Sequence, residues 1–451
     1  MNIINRYALK KEFYLFKLVG LVLALNIVLL LGWSREHWAQ VALDELKNVT
    51  INGQPATSDD IFYDSYFHLT LLTPKASGSG GGSLPSDNLV VINGSVADSV
   101  ATYIIGGLNY SSNSNNNTVI LNNSANFSGF VYGGYGNGTF NATKNKVIIN
   151  TTVGVEASKN YGGQVVGGYS DSGYAEENEV NFINGAIAID IIGGETDIGT
   201  ARYNKVIING TSVQAGKLYG ARSQADKGEG ANLTNNTVEI YNVKDNRNIT
   251  VYGAEGRIGN LANNSVMVEN SSLREIYGVS IEYSGNTSGN NVLIKNSDVE
   301  SYVYGSYINN NGGNSTSNSV KLDNSSADSI YGSNINYGNS TNNSVKLDNS
   351  SADSIYGSSV SEGNSTNNSV KLINSSANDI FGGQVDIAEL VTDNIVDVSG
   401  GKITGAIYGG YVKHDPRSTP VASGNKVRLV GTDAVNIFGG YAYHYNVTLS
   451  K

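Results

Sequence analysis

The chain reads Asn318-Ser-Val-Lys-Leu-Asp-Asn-Ser-Ser-Ala-Asp-Ser-Ile-Tyr-Gly332, and this stretch is written three times in succession. It returns from Asn343 to Gly357 and again, with a few changes, from Asn368 to Gly382, so the period is 25 residues. A fixed period of this size is typical of an array whose units need their neighbours to bury an apolar face. The sequence therefore predicts a repeat protein.

The unit contains two or three short strands. Val320 and Leu322 alternate with polar residues, which is the two-residue period of a strand with one buried face. Asn324-Ser-Ser-Ala327 follows as a corner, because Asn tolerates the left-handed backbone region. Ser329-Ile-Tyr-Gly332 is a second short strand, whose Ile points inward. One such unit of ~25 residues is a coil of a single-stranded parallel β-helix, so we expect an all-β solenoid.

The same pattern extends over most of the chain as about thirteen coils of 25–34 residues. Each coil starts with an Asn-x-apolar-x-apolar strand and later reaches a marker glycine. The strands start at Asn88, Asn117, Asn145, Asn178, Asn204, Asn236, Asn264, Asn290, Asn318, Asn343, Asn368, Asn394 and Asn425. The marker glycines are Gly106, Gly133, Gly167, Gly193, Gly220, Gly253, Gly278, Gly305, Gly332, Gly357, Gly382, Gly409 and Gly439.

Two columns of side chains precede these glycines. Two positions before the glycine the residue is always aliphatic, which predicts a core ladder: Ile104, Val131, Val165, Ile191, Leu218, Val251, Ile276, Val303, Ile330, Ile355, Ile380, Ile407 and Ile437. One position before the glycine ten residues are aromatic, and we expect them on the outer wall: Tyr132, Tyr219, Tyr252, Tyr277, Tyr304, Tyr331, Tyr356, Phe381, Tyr408 and Phe438.

Stacking of coils brings equivalent residues together at the inter-strand spacing of ~4.8 Å. The aromatic rings should then form one stacked ladder, and the strand-initial asparagines an amide ladder. The marker glycines should lie where a side chain would collide, or should adopt a backbone angle that other residues avoid. Thirteen coils at ~4.8 Å predict a rod of roughly 60 Å.

The sequence predicts that the chain is divided into four regions. Residues 1–42 hold basic residues and then the apolar run Leu18 to Trp33, which predicts an export signal peptide or an uncleaved signal anchor. Residues 43–75 look irregular and should cap the solenoid. Residues 76–87 form a Gly/Ser-rich linker. Residues 88–451 are the solenoid, which stops within a fourteenth coil at Val447 and Leu449.

The composition limits how the chain can be stabilised and which partners it can bind. The chain has no cysteine, which excludes disulfides in an exported protein, so stability must come from stacked cores and backbone ladders. Its net charge of −10, with no cluster of Lys and Arg, argues against a nucleic-acid partner. We expect an exported protein at the cell surface, at the outer membrane or outside the cell, attached to a membrane only through its N-terminal segment or a barrel beyond its C-terminus.

Residues that could carry chemistry are scattered. His37, His68, His414 and His444 lack ligand-spaced partners, so no metal site is predicted. Asp393 and Asp397 lie four residues apart on one strand, which places them ~13 Å apart, too far to share a glycosidic bond. Asp323 and Asp348 should stack outward, but Ile373 takes their place in the third coil, so solvated surface is favoured. We predict no catalytic residue and no cofactor.

Coils of the type Val131-Tyr-Gly-Gly-Tyr135 and Ile407-Tyr-Gly-Gly-Tyr411, with the export signal and the lack of cysteine, resemble the repetitive passenger regions of bacterial autotransporter adhesins, which belong to type V secretion. The resemblance covers roughly residues 84–451. It implies a β-solenoid passenger and an outer-membrane barrel at the C-terminus. The chain departs from the family here, since no series of barrel strands appears before Lys451. The serine-protease motif of some family members is also missing, which favours adhesins.

The leading hypothesis is a non-enzymatic adhesin or structural stalk that presents loops and an aromatic ladder to a host or neighbouring cell. Two alternatives stay open. A carbohydrate-active β-helix, such as a polysaccharide lyase or hydrolase, would show a groove lined by several acidic residues and aromatic platforms on one face. A self-associating biofilm protein would pair through its open C-terminal coil or its edges.

Overall fold

A computed structural model describes residues 49–57, 60–64, 69–72, 86–93, 103–122, 129–150, 163–184, 189–210, 216–224, 230–244, 248–310, 312–413 and 421–442. The predicted export segment, most of the predicted linker, all four histidines and the strand expected at Val447 and Leu449 lie outside these residues. No helix in the described part of the chain is long and apolar enough to cross a membrane.

The described residues form a parallel β-solenoid, which confirms the predicted fold class. It winds through about 11 turns, slightly fewer than the thirteen expected. Each turn contributes strands to three sheets. The strands stack in parallel on the next coil, as in the identical registers Val320↔Val345 and Ile330↔Ile355. The described strands are therefore hydrogen-bonded to one another along the axis.

The strands have the following bounds. The first sheet contains Leu89–Ile92, Thr118–Asn122, Lys146–Asn150, Glu179–Asn184, Lys205–Asn209, Thr237–Tyr241, Ser265–Glu269, Asn291–Lys295, Ser319–Asp323, Ser344–Asp348, Ile395–Ile403 and Lys426–Val430. The second contains Tyr103–Ile105, Leu108–Asn109, Phe130–Gly136, Gln164–Ser170, Asp190–Thr196, Lys217–Ser223, Thr250–Ala262, Ser272–Leu273, Glu275–Ser288, Asp298–Tyr304, Tyr307–Ile308, Ser326–Tyr331, Ser351–Tyr356, Ala406–Val412 and Asn436–Ala442. The third contains Ser114–Asn115, Ala142–Thr143, Tyr174–Glu176, Thr200–Arg202, Ala231–Thr234, Ser315–Thr316, Asn334–Thr341, Ser359–Thr366 and Val421–Ser423. Ser369–Thr392 passes through all three sheets, and four strands continue from the second sheet into the third: Thr250–Ala262, Glu275–Ser288, Asn334–Thr341 and Ser359–Thr366.

Residues 43–75, which looked irregular in the sequence, contain four short strands: Val49–Ile51, Gln54–Pro55, Ile61–Asp64 and Leu69–Leu72. Val49–Ile51 pairs antiparallel with Leu89–Ile92, the first strand of the array. This pairing gives hydrogen-bond partners to an edge that would otherwise be open. These strands could not be predicted from the sequence because none of them exceeds four residues and none follows the repeat.

The predicted core ladder lies on one line. Each member pairs in register with the equivalent residue of the next coil, from Ile104↔Val131 to Ile407↔Ile437. From Ile104 to Ile407 no member is more than 1% exposed. Ile437 differs, with 51% exposure, since no coil covers it within the described residues.

The strand-initial asparagines form a second buried ladder. Each Nδ2 donates to the Oδ1 of the next Asn along the axis, at 2.7–3.1 Å over twelve consecutive steps from Asn88 to Asn425. The same Oδ1 also accepts the backbone N–H of the preceding Asn, as in Asn318 to Asn343 at 2.9 Å. Each buried side-chain amide in the ladder therefore donates a hydrogen bond to the equivalent Asn of the next coil. This pairing explains why the coil begins with Asn.

The marker glycines are required by a close approach of backbones. A Cβ added to Gly332 would overlap the carbonyl oxygen of Gly357, and the same holds from Gly106 to Gly409. None of these glycines has a positive φ. Of the two explanations that the sequence allowed, collision is the one that applies. The left-handed positions fall instead at the corners, as at Asn324 with φ 47° and Asn342 with φ 57°.

Candidate binding groove

The outer wall of the second sheet is concave at the marker glycine. The aromatic column stands just before the glycine, and a second outward column stands two residues after it. Rings in the two columns touch across the bend, as Tyr408 and Tyr411 do with centroids 4.9 Å apart. The second column contains Leu108, Tyr135, Tyr169, Glu195, Arg222, Glu255, Ser280, Tyr307, Asn334, Ser359, Gln384, Tyr411 and Tyr441. We call the space between the two columns the external groove.

Nine of the ten predicted aromatic residues, from Tyr219 to Phe438, form one continuous stack. Successive ring centroids lie 4.6–5.0 Å apart and successive planes differ by no more than 19°. Each inner ring therefore uses both faces on its neighbours. Only ring edges and hydroxyl groups are left for any other contact.

Two expectations about this column were wrong. Tyr132 belongs to a separate cluster with Tyr103 and Phe130, because Val166 and Ile192 take the two positions between Tyr132 and Tyr219. The rings are also not equally open on the outer wall: Tyr219, Tyr252 and Tyr304 are buried, whereas the other six rings of the stack are half-buried. The concave bend covers the three buried rings, and its curvature could not be read from the sequence.

A charged cluster fills the groove where the stack begins. The Arg222 guanidinium donates from Nη2 to Glu195 Oε1 at 2.6 Å and lies 5.2 Å from the centre of the Tyr219 ring. Its Nη1 is 3.5 Å from Asp190 Oδ2. Gln224 Nε2 donates to Glu195 at 3.0 Å. Glu195 and Arg222 are both buried, so each compensates the charge of the other, and Arg222 covers the end face of the aromatic stack.

The cluster borders a cavity of about 490 Å³ in the external groove. Its lining comes from five successive coils: Asp190, Lys217, Tyr219, Arg222, Ser223, Gln224, Glu255, Gly256, Arg257, Ser280, Glu282, Tyr307 and Asn309. Burial raises the pKa of the Glu255 carboxyl, which accepts a hydrogen bond from Tyr219 and has Lys217 and Arg222 nearby. Burial also raises the pKa of the Tyr219 and Tyr252 hydroxyls well above their ordinary value, so both are hydrogen-bond donors at neutral pH.

Sequence reasoning did not find this cavity. Glu195, Arg222 and Glu255 occupy equivalent positions of three consecutive coils, and aligning the coils on the marker glycines would have placed them side by side. The signal is weak because the residue type two positions after the glycine changes from coil to coil, unlike the aliphatic and aromatic columns before it.

A second, more polar groove follows the corner between the first and second sheets. It encloses about 1010 Å³ and is lined mostly by the Asn-Ser-Ser corners, as at Asn324, Ser325 and Ser326. A serine ladder forms its floor, in which the N–H of Ser325 donates to Ser350 Oγ at 3.1 Å, and the Ser325 hydroxyl donates to its own chain at Asp323 O. These groups satisfy one another, so the corner groove is a product of the repeat.

The other residues considered in the sequence lie apart from the groove. Asp323 and Asp348 stack outward, and Ile373 follows them. Asp393 is a left-handed corner residue with φ 57°, and Asp397 lies 3.8 Å from Arg428. Among the described residues, no group of three or more His, Cys, Asp or Glu is placed to hold a metal ion. The loop segments 151–162, 225–229 and 414–420 are not described.

No protein-family model, curated protein or solved structure matches the chain.

Proposed function

We propose that this protein is a non-enzymatic, exported β-solenoid that acts as an adhesin or structural stalk at a cell surface or outside the cell. The observation that carries the proposal is the unbroken asparagine ladder of twelve steps, buried except at the partly buried last step from Asn394 to Asn425, which runs beside the aliphatic core over the array. Such a structure is a stiff rod of roughly 60 Å, which suits a part that holds other surfaces away from a membrane.

The surfaces available for contact are the external groove, the corners and the loops between strands. The aromatic stack is a weaker candidate for display than the sequence indicated, because its ring faces are occupied by neighbouring rings. Its role in the proposed function is to hold the coils in register. Contact with a host or neighbouring cell then depends on the polar groups of the grooves and on side chains in the loops.

Deletion of the gene in the producing bacterium, followed by complementation with the full-length chain, tests the proposal. We expect adherence to host cells or to other bacteria to fall several-fold and to return on complementation. Unchanged adherence and aggregation in the deletion strain would overturn it. Surface exposure is checked separately by accessibility of the chain to an added protease on intact cells.

A carbohydrate-active solenoid is a second candidate, and one observation favours it. Acidic residues and tyrosine hydroxyls line the groove around Glu255 and Tyr219, which is one part of the pattern expected for that class; the other part, exposed aromatic platforms, is not met there, because the ring faces stack on one another. Glu255, with its raised pKa, would be the general acid. Incubation with linear polysaccharides and measurement of new reducing ends or unsaturated products tests this candidate, with Glu255→Gln as the inactive control.

A further inference from the structure

The external groove widens at one position of its second column. Glu255, Ser280 and Tyr307 are consecutive members of that column, on adjacent coils. Ser280 is the smallest of the three, and the cavity of about 490 Å³ lies around it. The short side chain leaves room that a Glu or Tyr would have filled.

The Ser280 hydroxyl is a polar group in need of a partner. Ser280 is 9% exposed and lines the cavity, and among the described residues no hydrogen bond reaches its hydroxyl. Buried hydroxyl groups in folded proteins are nearly always hydrogen-bonded to protein, water or ligand. A ligand hydroxyl entering the cavity would satisfy it.

The charges around the cavity balance. Its acidic residues are Asp190, Glu255 and Glu282, and its basic residues are Lys217, Arg222 and Arg257. Four of these form two pairs across neighbouring coils, Arg222 Nη1 with Asp190 Oδ2 at 3.5 Å and Arg257 Nε with Glu282 Oε2 at 3.1 Å. A strongly charged ligand would meet as much repulsion as attraction here. A neutral ligand with many hydroxyl groups could hydrogen-bond to carboxylates and cations alike.

The lining also favours an extended ligand. It includes the side-chain amides of Gln224 and Asn309 and the side of the aromatic stack that carries the tyrosine hydroxyls. It spans five coils, and the four steps between them measure ~19 Å at ~4.8 Å per step. The groove runs parallel to the solenoid axis, so successive coils place polar groups at a constant interval, although the residue changes from Arg222 to Glu255 to Ser280. A linear polymer can make a contact at each of these positions.

We propose that the external groove around Ser280 binds a neutral, linear oligosaccharide, with its chain parallel to the solenoid axis. Ser280 and Glu255 bind sugar hydroxyls at the floor, and Arg257 and Glu282 bind them at the wall. This inference rests on the proposed contact function, for which it names the ligand class, and it holds whether or not the polymer is cleaved.

Isothermal titration of the full-length chain with cellohexaose, xylohexaose, maltohexaose and chitohexaose tests the inference. We expect at least one of them to bind, and Ser280→Phe to weaken that binding at least tenfold by filling the cavity. Ser359→Phe is the matched control, because Ser359 lies in the same column three coils further on and outside the cavity lining. That variant should bind as the unsubstituted chain does.

Glu255→Gln provides a second variant that hardly changes the volume of the side chain, in case Ser280→Phe disturbs the fold. It should weaken binding about fivefold. The inference would be overturned if the chain bound none of the four sugars. It would also be overturned if the Ser280→Phe and Glu255→Gln variants both bound the sugar as tightly as the unsubstituted chain does. Titration does not depend on adherence: a deletion strain that loses adherence while the purified chain binds no sugar would uphold the contact function and reject this site.

Discussion

Tyr331 and Tyr356 stack with ring centroids 4.6 Å apart and planes that differ by 2°. This geometry follows from the register of their strands, in which the two residues are direct partners. The spacing of parallel strands, near 4.8 Å, is slightly wider than a close ring contact, so rings on successive coils can stack with little adjustment. An aromatic residue at the same position of each coil therefore adds one ring-stacking contact between every two neighbouring coils.

The stack makes the fold sensitive to alkaline pH. Burial raises the pKa of Tyr331 to about 12, and it raises that of Tyr356 as well. An unfolded tyrosine has a pKa near 10, so above ~pH 10 the unfolded chain loses protons that the folded chain keeps. Stability is thus complete below pH ~10 and falls as the pH rises toward 12. Tyrosinate absorbance should rise together with the loss of far-UV circular dichroism.

A Tyr331→Phe variant serves as a control for that titration, because it keeps the ring and removes the ionisable group. Its stability at neutral pH should change little, while its loss of structure at high pH should be slightly delayed. Early tyrosinate formation in a chain that stays folded would contradict the buried stack.

The asparagine ladder allows a comparison between a buried and an exposed amide. Asn343→Ala removes the oxygen that accepts both the backbone N–H and one side-chain N–H of Asn318. The backbone N–H is left buried without that acceptor, while the side-chain amide keeps its hydrogen bond to Ser315 Oγ at 2.8 Å. We expect a loss of about 3–5 kcal/mol in the free energy of unfolding, centred on these coils. Native-state hydrogen exchange at the flanking strands measures it, since a long array does not unfold in one step.

Asn339→Ala is the matched control. Asn339 donates to Asn314 Oδ1 at 3.2 Å in a ladder of the same kind, but it is exposed to solvent, which replaces the lost hydrogen bond. A change below about 1 kcal/mol is expected. If both variants lost the same free energy of unfolding, burial would not determine how much the missing hydrogen bond costs.

Most of the repeat could be predicted from the sequence because its signals are local. The alternation at Val320 and Leu322 and the aliphatic-aromatic-glycine ending at Ile330 recur at nearly constant spacing, so the register of the coils follows directly. Curvature is different. The concave bend depends on how the strand continues past Gly332, and the pairing of Arg222 with Glu195 depends on which coils become neighbours there. Both are properties of the stacked structure and not of one repeat.

The marker glycines should tolerate no side chain inside the array. Gly382→Ala would place a Cβ against the carbonyl oxygen of Gly409, which belongs to backbone that cannot move freely. We expect a destabilisation of about 1–3 kcal/mol and a lower midpoint of thermal unfolding. Gly439→Ala occupies the same column, where the nearest atom is Asn425 O at 3.7 Å, an ordinary contact, and it should be neutral. A stable Gly382→Ala variant would mean that the coils separate readily.

Removing one partner of the Arg222–Glu195 ion pair should destabilise the fold, whereas removing both partners should cost little stability. Arg222→Met leaves the buried Glu195 carboxylate without its cation, which costs about 3–5 kcal/mol. The double variant Arg222→Met with Glu195→Leu replaces both charges by apolar groups and should recover most of the loss. Arg202→Met is the comparison at a half-exposed pair with Glu176, and its cost should stay below about 1 kcal/mol. Native-state hydrogen exchange at the strands around Arg222 and Arg202 measures all three, because the array does not unfold in one step. If the double variant is as unstable as the single one, Arg222 contributes mainly by covering the Tyr219 ring, where its guanidinium lies 5.2 Å from the ring centre.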